Sequence, residues 1–200
     1  MTERVFSLSV RSQWTGGGLR PRVVSPPNQT PQCNGRLVVM VHGYNNSQQA
    51  AQDSYTTFRN NLSRAFRKGV RDGTGLPDIA HFYWPGDTAG IGDLIMNLGG
   101  YARALDHAQQ AAAMLARYLE TTRHRPTSVT YIGHSMGCRL IMDALRERKQ
   151  EKPPVHGVVL QAAAVGAKMF EPGYALHNVG KRYARHSHVF YSRRDTVLWG

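Results

Sequence analysis

Short apolar runs rich in β-branched residues recur along the chain, and helical patterns separate them. The first run, residues 36–42, reads Arg-Leu-Val-Val-Met-Val-His and is typical of a parallel strand buried on both faces. Similar runs follow at residues 79–84, 128–132, 157–160 and 188–191. Because a strand buried on both faces needs a layer on each side, the pattern predicts an α/β fold with a mostly parallel central sheet and helices on both faces.

Apolar residues spaced three and four apart predict the helices between these strands. The first stripe comprises Ala51, Tyr55, Phe58, Leu62 and Phe66, and the second Tyr101, Leu105, Ala108, Ala112, Leu115 and Leu119. A third helix is predicted to start at Ser135 and to end before Pro153, since proline cannot continue a helix. Residues 15–35 lack periodicity and are predicted to form a long loop.

The 200 residues and 41% apolar content suit one domain, residues 1–200, with a single core. The N-terminus lacks a secretion signal, and no apolar run is long enough to span a bilayer. Cys33 and Cys138 have no metal-like spacing and are predicted to be reduced thiols. We therefore expect a cytoplasmic protein that uses no metal and no cofactor.

The formal net charge of +12 comes mostly from scattered arginines. Two local clusters stand out, Arg64, Arg67, Lys68 and Arg71, and then Lys181, Arg182, Arg185, Arg193 and Arg194. They make an anionic membrane surface or an acidic partner a candidate ligand, with a solvated surface as the plainer interpretation. No zinc-binding, RNA-binding or helix-turn-helix signature accompanies the charge, so the sequence does not indicate a nucleic-acid ligand.

The pattern Gly133-His134-Ser135-Met136-Gly137 joins the predicted strand 128–132 to the third predicted helix. G-x-S-x-G in this context is the nucleophile elbow of serine hydrolases, a strained turn that holds the serine outward. The glycines suit such a turn because side chains there would clash with neighbouring backbone. We predict Ser135 to be a nucleophile, and an ordinary tight turn is the alternative.

A second loop, His42-Gly43-Tyr44-Asn45, follows the first predicted strand. An oxyanion hole in this fold combines two backbone N–H groups, here predicted to be those of Met136 and Tyr44. Gly43, Asn45, His134 and Asp87 are predicted to shape the surrounding pocket and loops. His42 is predicted to order its loop or line the pocket rather than to act as a base.

Five segments resemble a bacterial α/β-hydrolase family of unknown function that is similar to esterases and lipases. They are Val-His-Gly-Tyr-Asn-Asn (41–46), Phe-Tyr-Trp-Pro-Gly (82–86), Tyr101 with Asp106, Gly-His-Ser-Met-Gly (133–137) and Tyr-Ser-Arg-Arg-Asp (191–195). The resemblance implies a Ser-Asp-His triad in that order, with Asp195 as the acid. A capping or ion-pairing role for Asp195, and Asp87 as the acid instead, are the alternatives.

The base that the resemblance implies is not evident, because only Thr-Val-Leu-Trp-Gly follows Asp195. We favour a chain that stops short of a longer natural protein, whose next strand and loop would carry the histidine. Alternatively, another histidine substitutes, His177 being the first candidate by position, or the protein has lost catalysis. The remaining histidines, His81 among them, are predicted at strand starts or on the surface.

The stretch from residue 86 to residue 100 is rich in glycine and apolar residues and predicts either a mobile flap beside the site or a loop leading into a helix. A flap of this kind would suit an acyl chain. The predicted function is hydrolysis of a small-molecule or lipid ester through an acyl-enzyme on Ser135. The alternative is a catalytically impaired hydrolase-like protein that binds an anionic membrane or partner.

Overall fold

One parallel sheet organises the computed structural model, which describes residues 4–11, 35–69, 76–87, 97–122, 126–149 and 153–191. Within these residues the strands are β1 (Val5–Ser9), β2 (Arg36–Val41), β3 (Asp78–Tyr83), β4 (Ser128–His134), β5 (Val155–Gln161) and β6 (Ala184–Phe190). Their order is β1-β3-β2-β4-β5-β6, and all neighbouring pairs are parallel. The predicted α/β fold with a mostly parallel sheet is confirmed.

Helices cover both faces of this sheet. They are α1 (Gln48–Gly69), α2 (Asn97–Thr121), α3 (Met136–Glu147) and the short α4 (Val179–Tyr183), and a 3-10 helix spans Ala167–Phe170. The apolar stripe of α1, with Ala51 and Tyr55, packs against Val38 and Met40 on one face. The helices α2 and α3 pack together in the larger core on the opposite face. The apolar residues spaced three and four apart in the sequence form the faces by which these helices pack on the sheet.

Strand β1 was not predicted: the first predicted strand began at residue 36. It alternates, with only Leu8 of its five residues fully buried, and it pairs with β3 at the end of the sheet. The Arg4 side chain anchors it by donating from Nε and Nη2 to the Asp78 carboxylate, at 3.3 and 3.2 Å. An edge strand buried on one face lacks the continuous apolar run that marks the central strands.

Two further predictions meet the structure only in part. The third helix begins at Met136, one residue later than predicted. Leu98 and Gly100 belong to the first turn of α2, so that part of the predicted flap is helical, while residues 88–96 lie outside the described residues. Most of the predicted loop 15–35 also lies outside them.

The parallel arrangement brings the segments that follow β2, β3, β4 and β5 to one edge of the sheet. In open α/β sheets this carboxyl edge is where ligands bind. At one end of the described sheet, β6 leaves Val189, Phe190 and Tyr191 between 58% and 72% exposed. None of the described helices combines the length and the apolar character that crossing a bilayer requires.

Candidate active site

Ser135 adopts a backbone conformation that side chains rarely occupy, with φ 51° and ψ −122°. It lies between β4 and α3, at the N-cap position of that helix, yet its side chain forms no capping hydrogen bond. Such a conformation costs about 1–3 kcal/mol and persists only where surrounding structure enforces it. The turn therefore has the strained geometry of a nucleophile elbow.

Two glycines, Gly43 and Gly137, allow the loop after β2 to pack closely against this turn. A Cβ atom on Gly137 would lie 2.5 Å from the carbonyl oxygens of both Val41 and His42. A Cβ atom on Gly43 would lie 3.0 Å from Ser135 Cβ and from His134 Nδ1. The gap at Gly137 leaves no room for a Cβ atom, and the gap at Gly43 is tighter than an ordinary contact, so both glycines favour the close approach of the loop to Ser135.

The main chain of Ser135 is held by the end of β5, by the residues that follow it and by the first turn of α3. Its N–H donates to the Gln161 carbonyl at 2.9 Å, and its carbonyl accepts from the N–H groups of Cys138 and Ala164, at 3.0 and 3.2 Å. The buried Cys138 thiol donates to the same Gln161 carbonyl at 3.4 Å, and burial raises its pKa to about 12. Gln161 lies at a strand end, where the sequence predicts the site, but its contribution could not be predicted, because it comes from a backbone carbonyl that every residue type possesses.

His42 is buried and orients the peptide between Gly43 and Tyr44. The Trp84 N–H donates to His42 Nε2 at 3.3 Å, which leaves Nδ1 to carry the proton and donate to the Gly43 carbonyl at 2.9 Å. Burial lowers the pKa of His42 to about 4, so the ring is neutral at pH 7. Because C=O and N–H of a trans peptide point in opposite directions, this bond directs the Tyr44 N–H away from His42.

The two predicted oxyanion donors are available for a ligand. Neither the Tyr44 nor the Met136 N–H donates a hydrogen bond to an acceptor in the described part of the chain. Asn45, the next residue in the loop, is left-handed at φ 58° and donates its N–H to the Gly86 carbonyl at 2.6 Å. This bond ties the loop after β2 to the segment after β3.

Tyr55 was predicted only as part of the apolar stripe of α1, but its hydroxyl also supports the site. It accepts from the His42 N–H at 2.7 Å and donates to the Phe82 carbonyl at 2.8 Å. Trp84 adds a stacked contact with the His42 ring and donates its indole N–H to the His42 carbonyl at 2.9 Å. The sequence signal that could have revealed this role was the presence of a hydroxyl group within an otherwise apolar helical stripe.

Asp87, one of the two candidate acids, forms no hydrogen bond with a histidine among the described residues. Asp87 forms an ion pair with Arg11, whose side chain is 7% exposed, and both groups act electrostatically on His42. Arg11 was not predicted as part of the site. Asp195 lies outside the described residues, so its role as the acid stays a prediction.

His177 is occupied by contacts of its own. Its Nδ1 donates to the Phe170 carbonyl at 2.9 Å, and its Nε2 lies 2.8 Å from the Asn178 amide nitrogen. Among the described residues, no histidine forms a hydrogen bond with the Ser135 hydroxyl. A base role for His177 remains a prediction, and these contacts do not support it.

The prediction that His81 lies at a strand start or on the surface is wrong. The residue lies in the middle of β3 and is 5% exposed, with its ring 4.7 Å from that of Tyr55. Its position in the strand was misjudged because the run that contains it is apolar on both sides, and a histidine in such a run is carried into the core with it.

A cavity of about 260 Å³ adjoins the turn on the α1 side of the sheet. His42, Gly43 and His134, three of the predicted pocket residues, line it, whereas Asn45 and Asp87 do not. Its apolar wall includes Met40, Phe58 and Ile132. The cavity thus offers an apolar recess beside the turn, while Ser135, which is partly exposed, is not among its lining residues.

The parallel sheet, the strained serine between a strand and a helix, and the loop packed against it define an α/β hydrolase. Residues 29–199 match the family described as alpha/beta hydrolase of unknown function (DUF900), and the chain belongs to this family. The resemblance predicted from the motifs is confirmed. No curated protein matches the chain.

The two buried histidines predict acid sensitivity. Desolvation lowers the pKa of both His42 and His81 from 6.5 to about 4. Between these values the unfolded chain binds protons that the folded protein does not, so the free energy of unfolding falls as pH is lowered through this window. Each pKa shift corresponds to a loss on the order of 3 kcal/mol in the free energy of unfolding, and this loss is complete near pH 4.

Urea unfolding at several pH values measures this slope. His81→Phe is expected to remove about half of it, since phenylalanine fills the site and cannot take up a proton. His188→Phe, at an exposed position in β6, is the matched control and should retain the slope of the parent chain. Equal slopes in the two variants would contradict the assignment to His81.

Proposed function

We propose that this protein is a serine hydrolase that cleaves a carboxylic or lipid acyl ester through an acyl-enzyme on Ser135. The observation that carries the proposal is the strained backbone of Ser135, φ 51°, with the Gly43 loop packed against it. A protein retains a strain of about 1–3 kcal/mol at one serine when that geometry serves function. No structural need for the serine side chain offsets this cost, because it caps no helix.

The backbone N–H groups of Tyr44 and Met136 are proposed to stabilise the oxyanion of the tetrahedral intermediate. Ser135 Oγ attacks the ester carbonyl, its proton passes to a base, and the carbonyl oxygen takes the negative charge. His42 acts as a positioning residue, because its Nδ1–H holds the Gly43 carbonyl and thereby aims the Tyr44 N–H. The alcohol then leaves, and water releases the acid.

Two further parts of the site are proposed, the acid and the acyl pocket. Asp195 is proposed as the acid from its place after β6 in the family pattern, where a histidine would follow in the triad order. The cavity lined by Met40, Phe58 and Ile132 is proposed to hold the acyl group. At about 260 Å³ it favours short acyl chains over long ones.

Covalent labelling with a fluorophosphonate tests the nucleophile, because such reagents phosphonylate an activated serine. We expect the protein to be labelled at Ser135 and Ser135→Ala to be unlabelled, while Ser63→Ala in α1 is labelled like the parent. Labelling that survives in Ser135→Ala, or a folded parent chain that is never labelled, would overturn the proposal. A panel of esters of increasing acyl length then measures the substrate preference, expected to peak at short chains.

A second candidate is a hydrolase-like protein without turnover that engages an anionic membrane or partner. The observation that favours it is that none of the described histidines bonds to Ser135. Without a base the serine hydroxyl is a poor nucleophile at neutral pH. Absence of both labelling and ester turnover in a folded protein would favour this candidate.

A further inference from the structure

A cleft of about 530 Å³ lies at the edge of the sheet opposite to Ser135. Its lining includes the first residues of three adjacent strands, Ser128 in β4, Val155 in β5 and Ala184 in β6. Ser135 follows the last residue of β4, whose seven residues span about 20 Å at 3.3 Å per residue. The cleft is therefore a separate site that takes no part in the chemistry proposed at Ser135.

The lining of this cleft is strongly basic. Of the ten described residues that line it, four are cationic, Arg148, Lys181, Arg182 and Arg185, and none is aspartate or glutamate. Within the described residues, no carboxylate forms an ion pair with the exposed Lys181, Arg182 or Arg185. We call this site the basic cleft. Lys181, Arg182 and Arg185 thus lie close together without a carboxylate partner in the described part of the chain. Their like charges repel one another, and a bound anion would relieve this repulsion.

The walls of the basic cleft are held in place. Arg148 is 7% exposed, and its Nη2 donates to the Pro153 carbonyl at 2.6 Å, which fixes one positive charge at the base of the cleft. Arg182 lies over the Tyr183 ring at 5.2 Å from its centroid. Ordered cations lose less side-chain entropy when a ligand binds than freely rotating ones do.

The chain itself assembles the basic cleft from distant segments. Lys181 and Arg182 come from α4, Arg185 from the start of β6, and Arg148 from the residue after α3. His156 also lines the cleft and forms an edge contact with the His186 ring at 5.3 Å. Its imidazole adds polar nitrogen atoms to the lining.

We propose that the basic cleft binds a phosphate-bearing ligand. Guanidinium groups match the geometry of phosphate oxygens and bond to them in pairs, and the additional lysine suits a group that carries more than one negative charge. The volume of about 530 Å³ exceeds what a single phosphate group fills, so the rest of the ligand also enters the cleft. The phosphate belongs either to a soluble polyphosphate compound or to a lipid headgroup.

Calorimetric titration with inorganic pyrophosphate and sedimentation with phosphatidylcholine vesicles carrying phosphatidic acid distinguish these sources. Both are done at physiological ionic strength, where non-specific attraction to the net charge of +12 is screened. The test variant is Lys181→Gln/Arg185→Gln. The matched control is Arg103→Gln/Arg117→Gln, which removes the same charge from two exposed positions of α2.

We expect the test variant to bind about tenfold or more weakly than the parent, since one charge-assisted hydrogen bond accounts for about that factor. The control variant should bind within about twofold of the parent. If pyrophosphate binds and only the test variant weakens its binding, the ligand is a soluble compound. If only the vesicles bind, and only the test variant weakens that binding, the ligand is a lipid headgroup. Absence of binding in both experiments, or equal weakening in both variants, overturns the proposal.

Thermal unfolding of both variants verifies that they are folded. Labelling at Ser135 is expected to be unchanged in the test variant, because the basic cleft lies at the opposite edge of the sheet. The proposal for the basic cleft and the proposal for Ser135 are therefore tested independently of each other.

Discussion

Replacing Ser135 by glycine is expected to stabilise the fold and to abolish ester hydrolysis at the same time. The residue has φ 51°, where a Cβ atom costs about 1–3 kcal/mol and glycine avoids that cost. Against this gain, glycine lowers the free energy of unfolding by about 0.5–1 kcal/mol relative to alanine, because it has more conformational freedom in the unfolded chain. The expected net gain over Ser135→Ala is therefore about 1 kcal/mol in the free energy of unfolding.

Both Ser135 variants are expected to lose at least about a thousandfold in turnover, because neither can form an acyl-enzyme. Ser135→Ala should stay near the stability of the parent, since the serine side chain forms no capping hydrogen bond that alanine would lose. Urea unfolding and ester hydrolysis, measured on the same samples, give the two readouts.

Ser54 in α1 provides the matched control for the stability comparison. It is exposed within a regular helix, where alanine is more stable than glycine by about 1 kcal/mol. The order of the alanine and glycine variants should therefore be reversed between Ser54 and Ser135. The same order at both positions would show that the Ser135 backbone is not strained in solution.

Alanine at Gly137 is expected to destabilise the protein by about 3 kcal/mol, at the upper end of the range for overpacking. Its Cβ atom would lie 2.5 Å from two backbone oxygens, those of Val41 and His42 at the end of β2. A side chain can rotate away from such a clash, but these oxygens move only if the strand end and the following loop move. That displacement would also carry the Tyr44 N–H away from Ser135, so turnover should fall as well.

Gly157→Ala is the matched control for Gly137→Ala. Gly157 is buried in β5, but a Cβ atom there would approach no atom closer than 3.6 Å, an ordinary contact distance. This variant is expected to be neutral or slightly more stable, because alanine restricts the unfolded chain. Equal unfolding midpoints for the two variants in urea would contradict the close packing of the loop against the turn.

The central strands and the turn at Ser135 could be predicted from sequence because their signals are local. A continuous apolar run such as residues 36–42 predicts a strand buried on both faces, and a strand followed by G-x-S-x-G and a helix predicts the elbow. Strand β1 escaped prediction because an edge strand buries only one face and shows a weaker pattern.

The support for the site could not be predicted in the same way. Gln161 holds the Ser135 N–H through its backbone carbonyl, which every residue type possesses. Tyr55 fits the helical stripe as an apolar residue, and only the structure brings its hydroxyl to His42. The opposite error occurred at His81: this titratable residue was expected at a strand start or on the surface, and it lies buried in the middle of β3.

The sequence by itself determined the α/β class, the alternation of the central strands with the first three helices, and the place of Ser135 between them, since each depends on spacing within a few residues. Only the tertiary structure decided that the Gly43 loop lies against Ser135 and that Arg148, Lys181 and Arg185 share one cleft. Those contacts join segments separated by tens of residues. They depend on the order in which parallel strands assemble, which local patterns do not encode.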